Sequence, residues 1–123
     1  MKSKKVDLNK VQNVLRIVDK MLESADTKSS KYNILLFLKS YSFYLMNKNE
    51  ESLYICDHLL DHSYRVNFNK AIVCQAYNLK TMIYMRNSEF TNMYSSIKQS
   101  LDLDKNNAET NNLFNMFKEK LLC

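Results

Sequence analysis

The densest group of reactive side chains is Cys56-Asp57-His58-Leu59-Leu60-Asp61-His62, which holds both histidines of the chain. His58 and His62 are four residues apart, so on a helix they share one face and could chelate a divalent metal. Asp61 lies one turn from His58 and could orient it. The arrangement stops short of hydrolytic zinc chemistry, because no glutamate lies between the histidines to act as base. A polar helix end explains the pair more simply, since histidine suits the negative end of the helix dipole. No metal ligand is assigned on this basis.

Other chemistries are excluded by composition. The chain contains no glycine, so it has no phosphate-binding P-loop, no GxGxxG turn and no nucleophile elbow. The three cysteines and two histidines fall on regular helical stretches, with no nucleophile–base pairing in the pattern. We therefore expect no enzyme and no cofactor. Cys56 and Cys74 lie in apolar surroundings and read as core thiols. Cys123 is the last residue and belongs to no CaaX box. An odd number of cysteines without CxxC spacing points to a reducing, intracellular compartment, and hence to the cytoplasm.

The elements that carry these residues follow from periodicity. The chain has 123 residues, 46% hydrophobic and 25% charged, which suits a single domain over 1–123. No apolar run approaches the ~20 residues of a membrane span, so no membrane association is expected. Proline is absent as well as glycine, which favours helices joined by short Asn, Asp and Ser turns. The net charge is +5. Lys2, Lys4, Lys5 and Lys10 concentrate part of it near the start, as a solubilising terminus or a nucleic-acid contact.

Six helices are predicted. The first runs from about Asp7 to Ser24, with Leu8, Val11, Leu15, Val18 and Leu22 as its buried stripe and Val14 and Met21 widening it. The second, capped by Ser29 or Ser30, runs to about Met46 and is apolar nearly all round, so it should be central. Asn49 is the expected cap of the third, which ends near His62. The fourth spans about Phe68 to Arg86. Ser88 should cap the fifth, and Asn106 or Asn107 the sixth, which packs Leu113, Phe114, Phe117 and Leu121. Short connections make neighbouring helices antiparallel.

Helices two and three compare with four and five at an offset of about 41 residues. Leu36 pairs with Tyr77, Leu38 with Leu79, Lys39 with Lys80, Ser40 with Thr81 and Phe43 with Tyr84. Cys56 then pairs with Ile97, Leu60 with Leu101 and Asp61 with Asp102. The second unit resembles a tetratricopeptide repeat. Tyr77, Thr81 and Tyr84 stand at the large, small and aromatic positions of its first helix. Phe90, Met93, Ile97 and Ser100 take the matching places on the second, and Leu101 to Asn107 resembles the closing turn. Leu36, Ser40, Phe43, Ser52, Cys56 and Leu59 occupy these places in the first unit. The departures are Lys39 and Lys80 for leucine, Met93 for alanine, Lys105 for proline, and a period about seven residues longer than usual.

The resemblance implies an all-α fold of about six antiparallel helices stacked as a solenoid. One helix pair covers 32–64, a second 68–105, and a capping helix 106–122. An irregular helical bundle is the alternative. It also implies a concave surface that grips a peptide or helix of a protein partner. Ile34, Phe37, Tyr41, Tyr44, Asn78, Met82, Met85 and Arg86 would line it. No arrangement like the Lys/Asn/Arg clamp of chaperone-binding members is present. The function expected is a non-catalytic adaptor or scaffold. A basic RNA- or ribosome-associated factor, or a subunit of a larger assembly, is the second expectation. Lys2, Lys4, Lys5 and Lys10 would then make the RNA contacts, and Lys118 and Lys120 add charge at the other end. Self-association through the first or sixth helix is a third.

Overall fold

A computed structural model describes residues 5–122. The described chain is all-α: α1 (Leu8–Ser24), α2 (Ser30–Leu45), α3 (Asn49–Arg65), α4 (Lys70–Arg86), α5 (Phe90–Leu103) and α6 (Ala108–Leu122). Lys2, Lys4 and Cys123 lie outside the described residues.

Helix starts follow the polar residues that satisfy free backbone N–H groups. The side chains of Asp7, Ser29 and Asn69 accept from Lys10 N, Tyr32 N and Ile72 N. Asn107 Oδ1 accepts from Thr110 N at 3.0 Å. Two expected caps are corrected. Asn49 is the first residue of α3 rather than its cap, and Ser88 precedes the N-cap Glu89 of α5. The cap residues Lys48 and Glu89 make no side-chain cap hydrogen bond.

The reason lies in the preceding turns. Asn47 and Ser88 adopt positive φ, at 60° and 57°, where glycine is usual. Each is the left-handed residue of a Schellman motif. Lys48 N donates to Phe43 O and Asn47 N to Tyr44 O, while Glu89 N donates to Tyr84 O and Ser88 N to Met85 O. These bonds satisfy the last carbonyls of α2 and α4. The two turns coincide at the 41-residue offset read from the side chains.

Each turn folds a helix back on its predecessor. In the first pair, Ser40 Oγ donates to Ser52 O and Ser52 Oγ to Ser40 O, both at 2.7 Å. Small side chains at this crossing let α2 and α3 approach closely. In the second pair the equivalent places hold Thr81 and Met93, both fully buried. There Thr81 Oγ1 turns back to Tyr77 O of its own helix.

Contacts follow chain order. α2 packs on α1, α3 and α4, and α4 packs on α2, α3, α5 and α6. Among the described residues, α1 touches only α2, and α3 and α5 do not meet. The main core joins Leu36, Cys56, Leu59, Leu60, Val73, Ala76, Leu79 and Ile83. A second cluster of Met93, Ile97 and Phe117 ties α5 to α6. Lys39 and Lys80, which stand where leucine was expected, each reach back to the preceding helix. Lys39 Nζ pairs with Asp19 of α1 at 2.8 Å, and Lys80 Nζ with Asp57 of α3 at 2.7 Å.

Candidate functional site

The residues expected to line a groove fall on α2 and α4, and the structure brings several of them together. Phe37, Tyr41 and Tyr44 form a stacked ladder along α2, with ring centroids 6.0 and 5.9 Å apart. Steps of three and four residues place successive rings on one helix face. The ladder ends on Arg86 of α4, whose guanidinium lies 3.7 Å from the Tyr44 ring centroid. Arg86 Nη1 also donates to Tyr44 O at 2.8 Å and to Asn49 Oδ1 at 2.9 Å. Asn49, the first residue of α3, thus helps to hold Arg86.

Beside this stack lies an open hollow of about 410 Å³, lined by Tyr44, Met82, Met85, Arg86, Leu113, Met116 and Lys120. Four of the expected groove residues are in it. Leu113, Met116 and Lys120 come from α6, which the sequence suggested only as a capping helix. Met116 is exposed, three residues from the buried Leu113 and next to the buried Phe117; a methionine beside the apolar stripe of α6 was the available signal. Neither Arg86 nor Lys120 has a carboxylate partner among the described residues. The hollow therefore combines a soft, adaptable floor with two cations that no carboxylate neutralises among the described residues.

Asn78 does not belong to this surface. It is fully buried, donating from Nδ2 to Asn107 Oδ1 at 3.4 Å and accepting from Thr110 Oγ1 at 2.7 Å. Thr110 also bonds Ser100 at 2.8 Å. Asn78 knits α4 to the start of α6, and burial removes it from contact with a partner. Ile34 is exposed but lies on the other side of α2, towards α1.

The histidine pair is engaged locally. His62 Nε2 lies 2.6 Å from Thr27 O. A carbonyl oxygen only accepts, so Nε2 carries the proton and donates it there. His62 thereby ties the end of α3 to the α1–α2 turn, and Tyr32 meets its ring edge-on at 4.9 Å between centroids. His58 Nε2 faces the Tyr32 hydroxyl at 3.4 Å. Asp61 pairs with Arg65 at 2.8 Å rather than orienting His58. No cluster of three or more His, Cys, Asp or Glu suited to a metal occurs among the described residues.

Cys56 is fully buried between α2 and α4. Burial pushes its thiol up to about 11, against the lowering effects of the Ser40 hydrogen bond and Lys80. It stays protonated at neutral pH and packs as a small hydrophobe. Lys80 behaves differently: burial opposes its charge, but the Asp57 hydrogen bond and charge prevail and hold it above its ordinary value.

Lys5 and Lys10 are exposed, and Lys10 lies within the first turns of α1. Lys118 sits over the Phe114 ring at 4.7 Å. No helix among the described residues is long and apolar enough to cross a membrane. Comparison with protein-family models, with curated proteins and with solved structures gives no match.

Proposed function

We propose that this protein is a non-catalytic adaptor whose α2, α4 and α6 face holds a segment of a protein partner. One observation carries the reading. Tyr44, Met82, Met85 and Arg86, which the tetratricopeptide resemblance implies as groove residues, line one open hollow. Tyrosine, methionine and arginine are common anchors at protein interfaces. Methionine adapts its shape to different apolar side chains, and Arg86 and Lys120, which have no carboxylate partner among the described residues, favour a carboxylate nearby. The neighbour order of the helices and the recurring turn support the tetratricopeptide-like solenoid reading. Cys56 and Cys74 are free, buried thiols, and together with the odd cysteine count they support a reducing intracellular setting, which we take to be the cytoplasm.

Capture of the tagged protein from its own cells, with and without RNase, tests this reading alongside Met82→Ala. The expected result is a defined protein set that survives RNase and is lost with the variant, while circular dichroism shows an intact fold. A set that disappears with RNase would replace the adaptor reading with the RNA-associated one. Lys5 and Lys10 would then be the residues to change.

A further inference from the structure

A second surface lies between α1 and α2, away from the tyrosine ladder. Val14, Ile17, Val18, Met21, Lys31, Ile34, Leu35 and Leu38 line an open hollow of about 360 Å³ there. Val14, Ile17, Met21 and Leu38 are 44%, 55%, 38% and 39% exposed. Adjacent large apolar side chains left open to water mark an interaction site more often than chance exposure.

The molecule itself shows what shape covers such a surface. The Lys39–Asp19 pair across α1 and α2 is the counterpart of Lys80–Asp57 across α3 and α4. Aligning these pairs sets Val14, Val18 and Met21 on Ser52, Cys56 and Leu59, and Leu35 and Leu38 on Ala76 and Leu79. All five counterparts are 0% exposed. They are covered because α2 lies against both α3 and α4.

The connections support the same alignment. Before α2, Asp26 Oδ1 accepts from Lys28 N, and Ser29 N donates to Asp26 O. Before α6, Asp104 Oδ1 accepts from Asn106 N, and Asn107 N donates to Asp104 O. By its exit turn, α1 is therefore the same kind of helix as α5, the second member of a pair. Among the described residues it has no first member packed on it.

We propose that the α1–α2 hollow is a seat for an acidic amphipathic helix of a protein partner, which packs there as α2 packs on α3 and α4. The charge around the seat selects that chemistry. Lys31 lines it, and Lys10 lies one turn before Val14 on the same face of α1. Both lysines are exposed, and among the described residues no Asp or Glu lines the hollow. A second copy is a poor occupant on the same ground, because face-to-face pairing sets these lysines against one another. The open side of α6 also suits the seat badly, since Asn112 and Asn115 stand where apolar side chains are needed. This site is separate from the tyrosine–methionine hollow and stands or falls without it.

The test uses two synthetic helical peptides of 17 residues, the length of α1. Both carry leucines at steps of three and four. One has glutamates flanking the leucines, and the other has lysines in their place. Binding is measured by calorimetry and mapped by amide NMR shifts. The glutamate peptide should bind, shift α1 and α2 resonances around Ile17 and Leu38, and bind at least about tenfold more tightly than its lysine sibling. The double variant Ile17→Ser/Leu38→Ser, its fold checked by circular dichroism, should lose that binding. Absence of binding, equal binding of the two peptides, binding unaffected by the double variant, or shifts centred on Tyr44 and Met85 would each overturn the proposal. So would a concentration-dependent dimer that the double variant abolishes, because a second copy would then fill the seat.

Discussion

The junction of α1 with α2 and that of α3 with α4 are built to one plan, yet one is open and the other closed. Each is pinned by a lysine reaching back to an aspartate of the preceding helix. Leu79 lies fully inside its junction, whereas Leu38, at the matching place, faces partly outward. The difference comes from a third helix: α2 covers the inner junction, and nothing among the described residues covers the outer one. The exposure of Leu38, Val14 and Met21, whose counterparts are buried, reflects the absence of a neighbour. The far end differs again: α6 exposes Asn112, Asn115 and Glu119, with Met116, Leu121 and Leu122 also open to water.

Truncating the matched leucines separates the two junctions most strongly. Leu79→Ala should cost about 3 kcal/mol, through lost burial and an unfilled cavity. Leu38→Ala should cost less than about 1 kcal/mol, because half-open apolar contacts are worth less. Urea denaturation of both variants gives the two values, and near-equal losses would erase the distinction.

A smaller effect distinguishes the two turns. Ser88→Gly should stabilise the protein by about 1 kcal/mol, since a left-handed serine is strained and glycine is not. Thermal melts would show it as a raised Tm.

The ion pairs come next. Lys80→Met should cost about 0.5 kcal/mol near neutral pH, as the carboxylate of Asp57 is well exposed and screened. Lys80 titrates above its ordinary value in the folded state. Its contribution is therefore full below the ordinary lysine range and fades as pH rises through the raised value. Urea midpoints of variant and wild type should converge in strongly alkaline solution and stay apart near neutrality.

Asn47→Gly should give the smallest gain, a few tenths of a kcal/mol, because asparagine already tolerates the left-handed region. A gain equal to that of Ser88→Gly would show that the two turns are strained alike.

The helices and their order were legible because the apolar stripes and the cap residues Ser29 and Asn107 carry local signals. The 41-residue offset was legible for the same reason, and it holds in the hydrogen bonds of the two Schellman turns. Other features depend on distant partners. Asn49 is a good cap by residue type, but Arg86, far along the chain, takes up its side chain. Asn78 has the helical spacing of a groove residue, yet Asn107 and Thr110 bury and bond it. Lys39 and Lys80 looked like departures from a repeat pattern and proved to be the pins of the two junctions. Val14 and Met21 have the spacing of a buried stripe, but periodicity does not say whether a helix lies opposite. α6 entered the hollow unforeseen because its place beside Tyr44 depends on how three helices stack.

The most direct test is methyl NMR with a soluble paramagnetic agent, which broadens signals that solvent reaches. Strong broadening of Val14, Ile17, Ile34 and Leu38 methyls, with Leu59, Leu79 and Ile83 left sharp, is the result this account predicts. Protection of Ile17 and Leu38 equal to that of Leu59 and Leu79 would contradict it, because the junction taken as open would then be closed.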